Sequence, residues 1–193
     1  MRKKLTRLLA LSLTLAMLLG MTALAADQRG AELADGEKAK IHSIVGVDGS
    51  NVASYSETLQ QLGADSFSHY QFCQITDPTG PYPEVMERVK EKYDDAAQNY
   101  AMPYFPHVSC GWDNNPRFSM DNIRPRITTD VTPENFEKGL RMAKEYVDTH
   151  DLPAKLVTIN SWNEWTETSY LEPDDKYGYG YLEAIKKVFV DGE

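Results

Sequence analysis

The sequence has only two cysteines and four histidines among its 193 residues. These six side chains lack any spacing that is typical of a metal site. Cys73 and Cys110 either form a disulfide, if the protein is exported, or remain two separate buried thiols. No glycine-rich loop follows a predicted strand, which disfavours a site for nucleotide phosphates. The sequence therefore predicts neither a metal nor another cofactor.

Positive charge is scarce as well. The chain has 20 Lys and Arg residues against 29 Asp and Glu residues. Four of the basic residues and none of the acidic ones lie in residues 1–26, so the remainder has 16 basic groups against 29 acidic groups, a net charge of −13. A strongly acidic protein is a poor candidate for binding nucleic acid. The charge is compatible with a neutral substrate such as a sugar, but it does not specify one.

Long apolar segments are limited to one, over residues 8–19. A basic segment precedes it, and the small-x-small motif of residues 23–25 follows it. This order is typical of a secretory signal peptide. We therefore predict a signal peptide over residues 1–26, a secreted extracellular protein, and a flexible polar leader over residues 27–40. The alternative is a membrane anchor through residues 8–26, a stretch near the lower length limit for a span.

Predicted strands and helices alternate after residue 40. The strands cover residues 41–47, 66–72, 104–108 and 155–160. One helix follows the capping box of residues 54–57, and the others cover residues 83–100, 133–147 and 181–189. The apolar faces predicted for the helices over residues 83–100 and 133–147 contain Met86, Val89, Tyr93, Ala97 and Tyr100 in the first and Phe136, Leu140, Ala143 and Val147 in the second. Four strand–helix units in strict alternation predict an α/β fold with a parallel sheet and helices outside it. Asp48, Asp113 and Glu164 each follow a strand end, where both barrels and open doubly wound sheets keep their sites.

The segment from Asn160 to Asp174 carries most of the candidate chemistry. Glu164 and Glu167 stand three residues apart just after the last predicted strand. Glycoside hydrolysis uses two carboxyl groups, one protonated to serve the leaving oxygen and the other ionised. Mutual repulsion and apolar surroundings separate the pKa values of such a pair. The two glutamates are therefore the predicted catalytic residues.

Aromatic and amide side chains surround this pair in the sequence. Trp162 and Trp165 are predicted to form an aromatic wall beside the carboxyl groups and to stack on sugar rings. Asn160 and Asn163 are predicted to hydrogen-bond sugar hydroxyls. The alternative is a polar loop whose tryptophans only close one end of the sheet.

The segment Ser161–Glu167, followed by Leu171–Asp174 and by Tyr177 and Gly178, resembles the signature of the glycoside hydrolase family 99-like group. That group includes endo-α-mannosidases and the WbsX-type proteins of bacterial polysaccharide gene clusters. The segment His107–Arg117 resembles a second block of the same group, in the right order. The resemblance covers roughly residues 41–190.

The resemblance implies a (β/α)8 barrel and a hydrolase that retains the anomeric configuration. In such a hydrolase Glu164 would deprotonate the sugar 2-hydroxyl, which attacks C1 to give a 1,2-anhydro intermediate. Glu167 would protonate the leaving group and then activate water. The expected substrate is an oligosaccharide or polysaccharide with an α-mannosidic or similar bond. Two alternatives stay open, a WbsX-type polysaccharide glycosyltransferase and a non-catalytic carbohydrate-binding remnant; the signal peptide disfavours the transferase, because sugar-nucleotide donors are cytoplasmic.

The second block adds substrate-binding candidates. Trp112 is predicted to be an aromatic residue of the site, while Asp113 and Arg117 either bind sugar hydroxyls or form a salt bridge that ties their loop down. His107 is expected to be a core histidine with satisfied hydrogen bonds. Thr168 stands where family members usually have glycine. A glycine suggests an unusual backbone angle at this position, so the loop of this chain is expected to differ locally.

Chain length conflicts with a complete barrel. A barrel needs about 250 residues, whereas 167 of the 193 residues follow the predicted signal peptide. Residues 41–193 are therefore expected to form the C-terminal half of a barrel. Because a half-barrel leaves sheet edges and an apolar face uncovered, we expect self-association or pairing with a complementary half.

Overall fold

The computed structural model describes residues 44–47, 58–59, 61–100 and 102–192. The predicted signal peptide, the leader, Asp48 and the capping box of residues 54–57 lie outside the described residues. The fold is a mixed α/β fold with short sheets. Its strands are β1 (Ile44–Val47), β2 (Ser66–His69), β3 (Gly80–Pro81), β4 (His107–Ser109), β5 (Thr128–Thr129), β6 (Thr158–Asn160), β7 (Asn163–Glu164) and β8 (Ser169–Tyr170). Its helices are α1 (Phe72–Ile75), α2 (Tyr82–Asn99), α3 (Pro133–Thr149) and α4 (Gly180–Lys186), with a π-helical turn at Lys187–Asp191.

The four predicted strands lie side by side and run parallel. β1 pairs with β2, and β4 pairs with β6 so that His107 lies opposite Thr158. A parallel bridge between Phe67 and Tyr104 joins β2 to the segment that precedes β4. The described residues form no closed barrel. This arrangement brings the carboxyl ends of β2, β4 and β6 to one edge, where the candidate residues lie.

The two long helices form as their sequence patterns predict. The Thr132 hydroxyl accepts a hydrogen bond from the Asn135 amide, and Pro133 occupies the first position of α3. The predicted face of α3, which contains Phe136, Leu140, Ala143 and Val147, is buried.

On α2 one predicted core residue is wrong. Ala97 is exposed, and Ala96 is buried instead. The buried face of α2 continues from Tyr93 to Ala96, three positions later, rather than to Ala97, four positions later.

The predicted strand 66–72 is too long. It ends at His69, because the Gln71 side chain accepts a hydrogen bond from the Phe72 amide and starts α1 there. The antiparallel pair β7–β8 and the parallel pair β3–β5 were not predicted from the sequence.

Cys73 and Cys110 form no disulfide in the described part of the chain, so of the two alternatives the separate thiols are present. Cys110 is buried as that alternative has it, whereas Cys73 is only half-buried. His107 is the expected core histidine: its ring nitrogens lie 2.9 Å from Thr158 Oγ1 and 3.0 Å from Ser109 Oγ. Burial lowers the pKa of His107 to about 3. Within the described part of the chain, no helix is long and apolar enough to cross a membrane.

Candidate active site

The chain makes a tight hairpin directly after β6. Asn160 ends the strand, and its carbonyl oxygen accepts hydrogen bonds from the Cys110 amide and the Ser169 hydroxyl. The peptide bond between Asn160 and Ser161 is cis. β7 and β8 then pair, with Glu164 opposite Ser169, and a 3-10 turn from Trp165 to Glu167 connects them. Both predicted catalytic glutamates therefore lie at the carboxyl end of β6.

Arg117 joins the two glutamates. Its Nη2 lies 3.1 Å from Glu164 Oε2, and its Nη1 lies 2.8 Å from Glu167 Oε1. Its Nε donates a hydrogen bond of 2.8 Å to the Thr166 hydroxyl. All three guanidinium nitrogens therefore contact the turn of residues 164–167, although Arg117 is 47 to 50 residues away in sequence. The salt-bridge alternative for Arg117 is present in the described structure.

The two carboxyl groups lie in different environments. The Glu164 side chain is 37% exposed, whereas the Glu167 side chain is only 11% exposed. Burial raises the pKa of Glu167, and the Glu164 charge adds to that rise while Arg117 opposes it. Glu167 Oε2 is buried and has no hydrogen-bond partner among the described residues. Glu167 is therefore the sheltered carboxyl group of the pair, with a pKa above its usual value, and Glu164 is the carboxyl group that is open to solvent.

Asp113 holds the turn in place. Its backbone amide donates a 2.8 Å hydrogen bond to the Glu167 carbonyl, and its own carbonyl accepts one from the Thr168 hydroxyl. Asp113 Oδ1 accepts hydrogen bonds from the backbone and side-chain nitrogens of Asn115. These contacts fix the loop of the second sequence block against the glutamate turn. The predicted contact of Asp113 with a sugar stays a prediction.

The predicted aromatic wall is more open than expected. Trp162 and Trp165 are both exposed, at 53% and 43%, so they do not enclose the glutamates. Trp165 instead stacks on Tyr170 at 3.7 Å and donates a hydrogen bond to Glu172. Both tryptophan side chains keep a large exposed surface, and their predicted stacking on sugar rings stays a prediction.

Trp112 and Asn163 are two further predicted substrate-binding residues, and both precede the glutamate turn in the sequence. Trp112 is half-buried at the end of the β4 segment, and its carbonyl accepts a hydrogen bond from the Thr128 amide. Asn163 is exposed and lies opposite Tyr170 in the hairpin. Their predicted roles in substrate binding stay predictions.

Sequence reasoning missed Tyr70. This residue follows β2, and its pKa is raised by partial burial and by the charges of Glu164 and Glu167, with the Asn160 amide and Arg117 acting in the opposite direction. Asn160 itself is only 2% exposed, and its Nδ2 has no hydrogen-bond partner in the described part of the chain. The position directly after a strand was the one signal that would have identified Tyr70.

Thr168 adopts a left-handed backbone conformation, with φ 53° and ψ 34°. The kind of backbone angle that a glycine suggests for this position is thus present with threonine. Gly111 packs against the same point, since a Cβ atom on it would lie 2.8 Å from the Thr168 carbonyl oxygen. Thr168, the residue directly after the turn that ends at Glu167, therefore has a backbone conformation that favours glycine.

Replacing Thr168 tests this strain. Thr168→Gly should be more stable than Thr168→Ala by about 1 kcal/mol, because both variants lose the hydroxyl and only alanine keeps the Cβ penalty. Urea unfolding of the two variants measures the difference. An alanine variant as stable as the glycine variant would show that the backbone is unstrained there.

Comparison with known proteins identifies the family. A family model described as glycosyltransferase WbsX matches residues 14–185, which is most of the chain. The chain belongs to the WbsX family. The resemblance inferred from the two sequence blocks is thereby confirmed, and both blocks, with Arg117, Glu164 and Glu167, lie inside the matched region.

The WbsX-family chain is also similar to two curated proteins. Both are described as uncharacterized protein WxcX, from strains B100 and ATCC 33913 of Xanthomonas campestris pv. campestris. Each is 36% identical over 84 residues, and the match covers 43% of this chain but only 12% of the relative. A solved structure described as a glycoside hydrolase-like protein aligns with 66% of this chain and 38% of its own, at 15% identity and a TM-score of 0.47.

Proposed function

We propose that this WbsX-family protein is carbohydrate-active and acts as a retaining glycoside hydrolase on α-mannosidic or similar glycans. One observation carries the proposal. The hairpin at the carboxyl end of a parallel strand holds one buried glutamate and one more exposed glutamate, and both contact the same arginine from another loop. That pairing matches the acid and base that glycosidic cleavage needs. We place the described strands and helices in the C-terminal half of a (β/α)8 barrel, as the family resemblance implies.

The proposed mechanism assigns the two roles by environment. Glu164 is solvent-accessible and salt-bridged, so it acts as the base that takes the proton of the sugar 2-hydroxyl as this oxygen attacks C1. Glu167 is the more sheltered group with the raised pKa, so it donates its proton to the leaving oxygen and then takes one from water. Trp162 and Trp165 offer exposed faces for stacking on sugar rings.

Release of reducing ends tests the proposal. Incubation of the protein with α-mannan should release new reducing ends without any added donor. A requirement for a sugar nucleotide would favour the alternative of a glycosyltransferase, which is the activity named in the description of the family model. Binding of mannan without cleavage would favour the carbohydrate-binding remnant. Secretion is part of the proposal and rests on the predicted signal peptide alone.

An apolar groove beside β6 supports the proposed self-association. The groove has a volume of about 310 Å³ and is lined mainly by Val147, Val157, Ile159, Ile185 and Phe189. Phe189 is 39% exposed. We propose that a second copy of the chain covers this surface, because exposed apolar patches next to a sheet edge favour association.

Analytical ultracentrifugation tests the groove. The parent protein should sediment as a dimer or larger species, and Phe189→Asp should shift it towards the monomer. Val190→Asp is the matched control, because Val190 lies on the same turn but is 73% exposed and does not line the groove. A well-folded monomeric parent protein would contradict the association.

A further inference from the structure

The Arg117 side chain contacts the glutamate turn through all three of its guanidinium nitrogens. Its three nitrogens reach Glu164, Thr166 and Glu167 at 2.8 to 3.1 Å. A guanidinium group presents its donors in a rigid planar fork, so this set of contacts fixes both the spacing and the orientation of the two carboxyl groups. These contacts use three of the five guanidinium N–H groups, one on each nitrogen.

We propose that Arg117 is a positioning residue that holds Glu164 and Glu167 at a fixed spacing and places one positive charge against both carboxyl groups. The effect expected on the pH–rate profile rests on the proposed function, whereas the effect expected on the titration of the carboxyl groups does not. A positive charge in contact with a carboxylate favours the charged form of that carboxylate. The titratable and charged groups that face the pair are Arg117 and Tyr70, together with the two glutamates themselves.

The exposure and the contacts of Arg117 distinguish a role at the glutamate pair from a role in stabilising the fold. The Arg117 side chain is 43% exposed, and among the described residues its polar contacts are all with the turn of residues 164–167. Its loss should therefore cost the fold little, because partly exposed ion pairs contribute little to stability. The same loss removes a cation that, alone among the described residues, contacts both glutamates.

Arg117→Met should shift the pH–rate profile without unfolding the protein. Removing the charge makes ionisation harder for Glu167, so the alkaline limb, which the proposed acid sets, should move to higher pH by about 1 unit, the low end of the range for a contacting charge. Arg117→Lys keeps the charge but loses the fork, so its rate should fall while its limbs stay near those of the wild type. Arg117→Gln repeats the neutral substitution with a polar side chain that keeps the site hydrated.

Arg124→Met is the matched control. Arg124 lies on the same loop and stacks over the Phe118 ring at 3.7 Å, so its replacement removes an equal charge without touching either glutamate. The profile of this variant should coincide with that of the wild type. A rise in KM with unshifted limbs in Arg117→Met would instead make Arg117 a substrate ligand and overturn the proposal.

Carboxyl titration by NMR makes the test independent of activity. In protein labelled with ¹³C at the glutamate carboxyl carbon, the Glu164 and Glu167 signals are assigned by their disappearance in the Gln variants. The midpoint of Glu167 should move to higher pH in Arg117→Met and stay unchanged in Arg124→Met. An inactive protein with this shift would refute the hydrolase proposal and support the role of Arg117, whereas an active protein without it would refute that role.

Discussion

Glu167→Gln should lower the turnover of a natural glycoside by about 10²-fold or more, the usual scale for a general acid–base group. Glutamine has nearly the same shape but cannot protonate the leaving oxygen. On an aryl glycoside with a good leaving group, which needs little protonation, the variant should recover part of its first-step rate. Pre-steady-state release of the aryl group measures that step. Wild-type turnover of the natural glycoside by this variant would remove Glu167 from the mechanism.

The same substitution should not weaken the fold at neutral pH. The pKa of Glu167 is raised in the folded protein, mainly by burial. Its protonated form therefore stabilises the fold at low pH, and this contribution is lost as the pH rises from the unfolded value, near 4.5, through the folded one. Above that window Glu167→Gln should be at least as stable as the wild type in urea unfolding. A marked loss of stability at pH 7 would show that Glu167 serves the structure.

Glu164→Gln should also lower turnover by about 10²-fold or more, but without recovery on the aryl glycoside. Glu164 assists the attack of the 2-hydroxyl on C1, a step that a better leaving group does not replace. A comparison of the two variants on aryl and natural glycosides therefore separates their roles. Equal recovery in both variants would contradict the assignment of Glu164 as the base.

A sugar without a 2-hydroxyl provides a matched control for this assignment. If Glu164 acts through that hydroxyl, the 2-deoxy aryl glycoside should be a poor substrate for the wild type, and Glu164→Gln should slow it little further. A rate for the 2-deoxy substrate that still falls about 10²-fold in the variant would show that Glu164 acts on another group.

Local sequence signals predicted the helices and the position of the glutamates well. The cap at Thr132, Pro133 and the apolar spacing of Phe136 and Leu140 are all local features, and they determine α3. The position of Glu164 after a strand follows in the same way from the order of the segments. The premature end of β2 was not predictable, because it depends on the Gln71 side chain accepting a hydrogen bond from the next residue.

The electrostatics of the site depend on tertiary contacts that the sequence does not reveal. The three-residue spacing of the glutamates does not show which of them is buried. The joint contact of Arg117 with both arises from a loop 47 to 50 residues earlier in the chain. Tyr70 belongs to no motif, and only the parallel arrangement of β2, β4 and β6 brings it near the glutamates.

The stereochemistry of cleavage tests the acid–base account most directly. Proton NMR spectra recorded during the first minutes of reaction on an α-linked mannooligosaccharide resolve the anomeric signals of the new reducing end before mutarotation. The account predicts that the α-anomer appears first, because attack by the 2-hydroxyl and then by water inverts C1 twice. Initial release of the β-anomer would contradict it, as would the absence of any new anomeric signal.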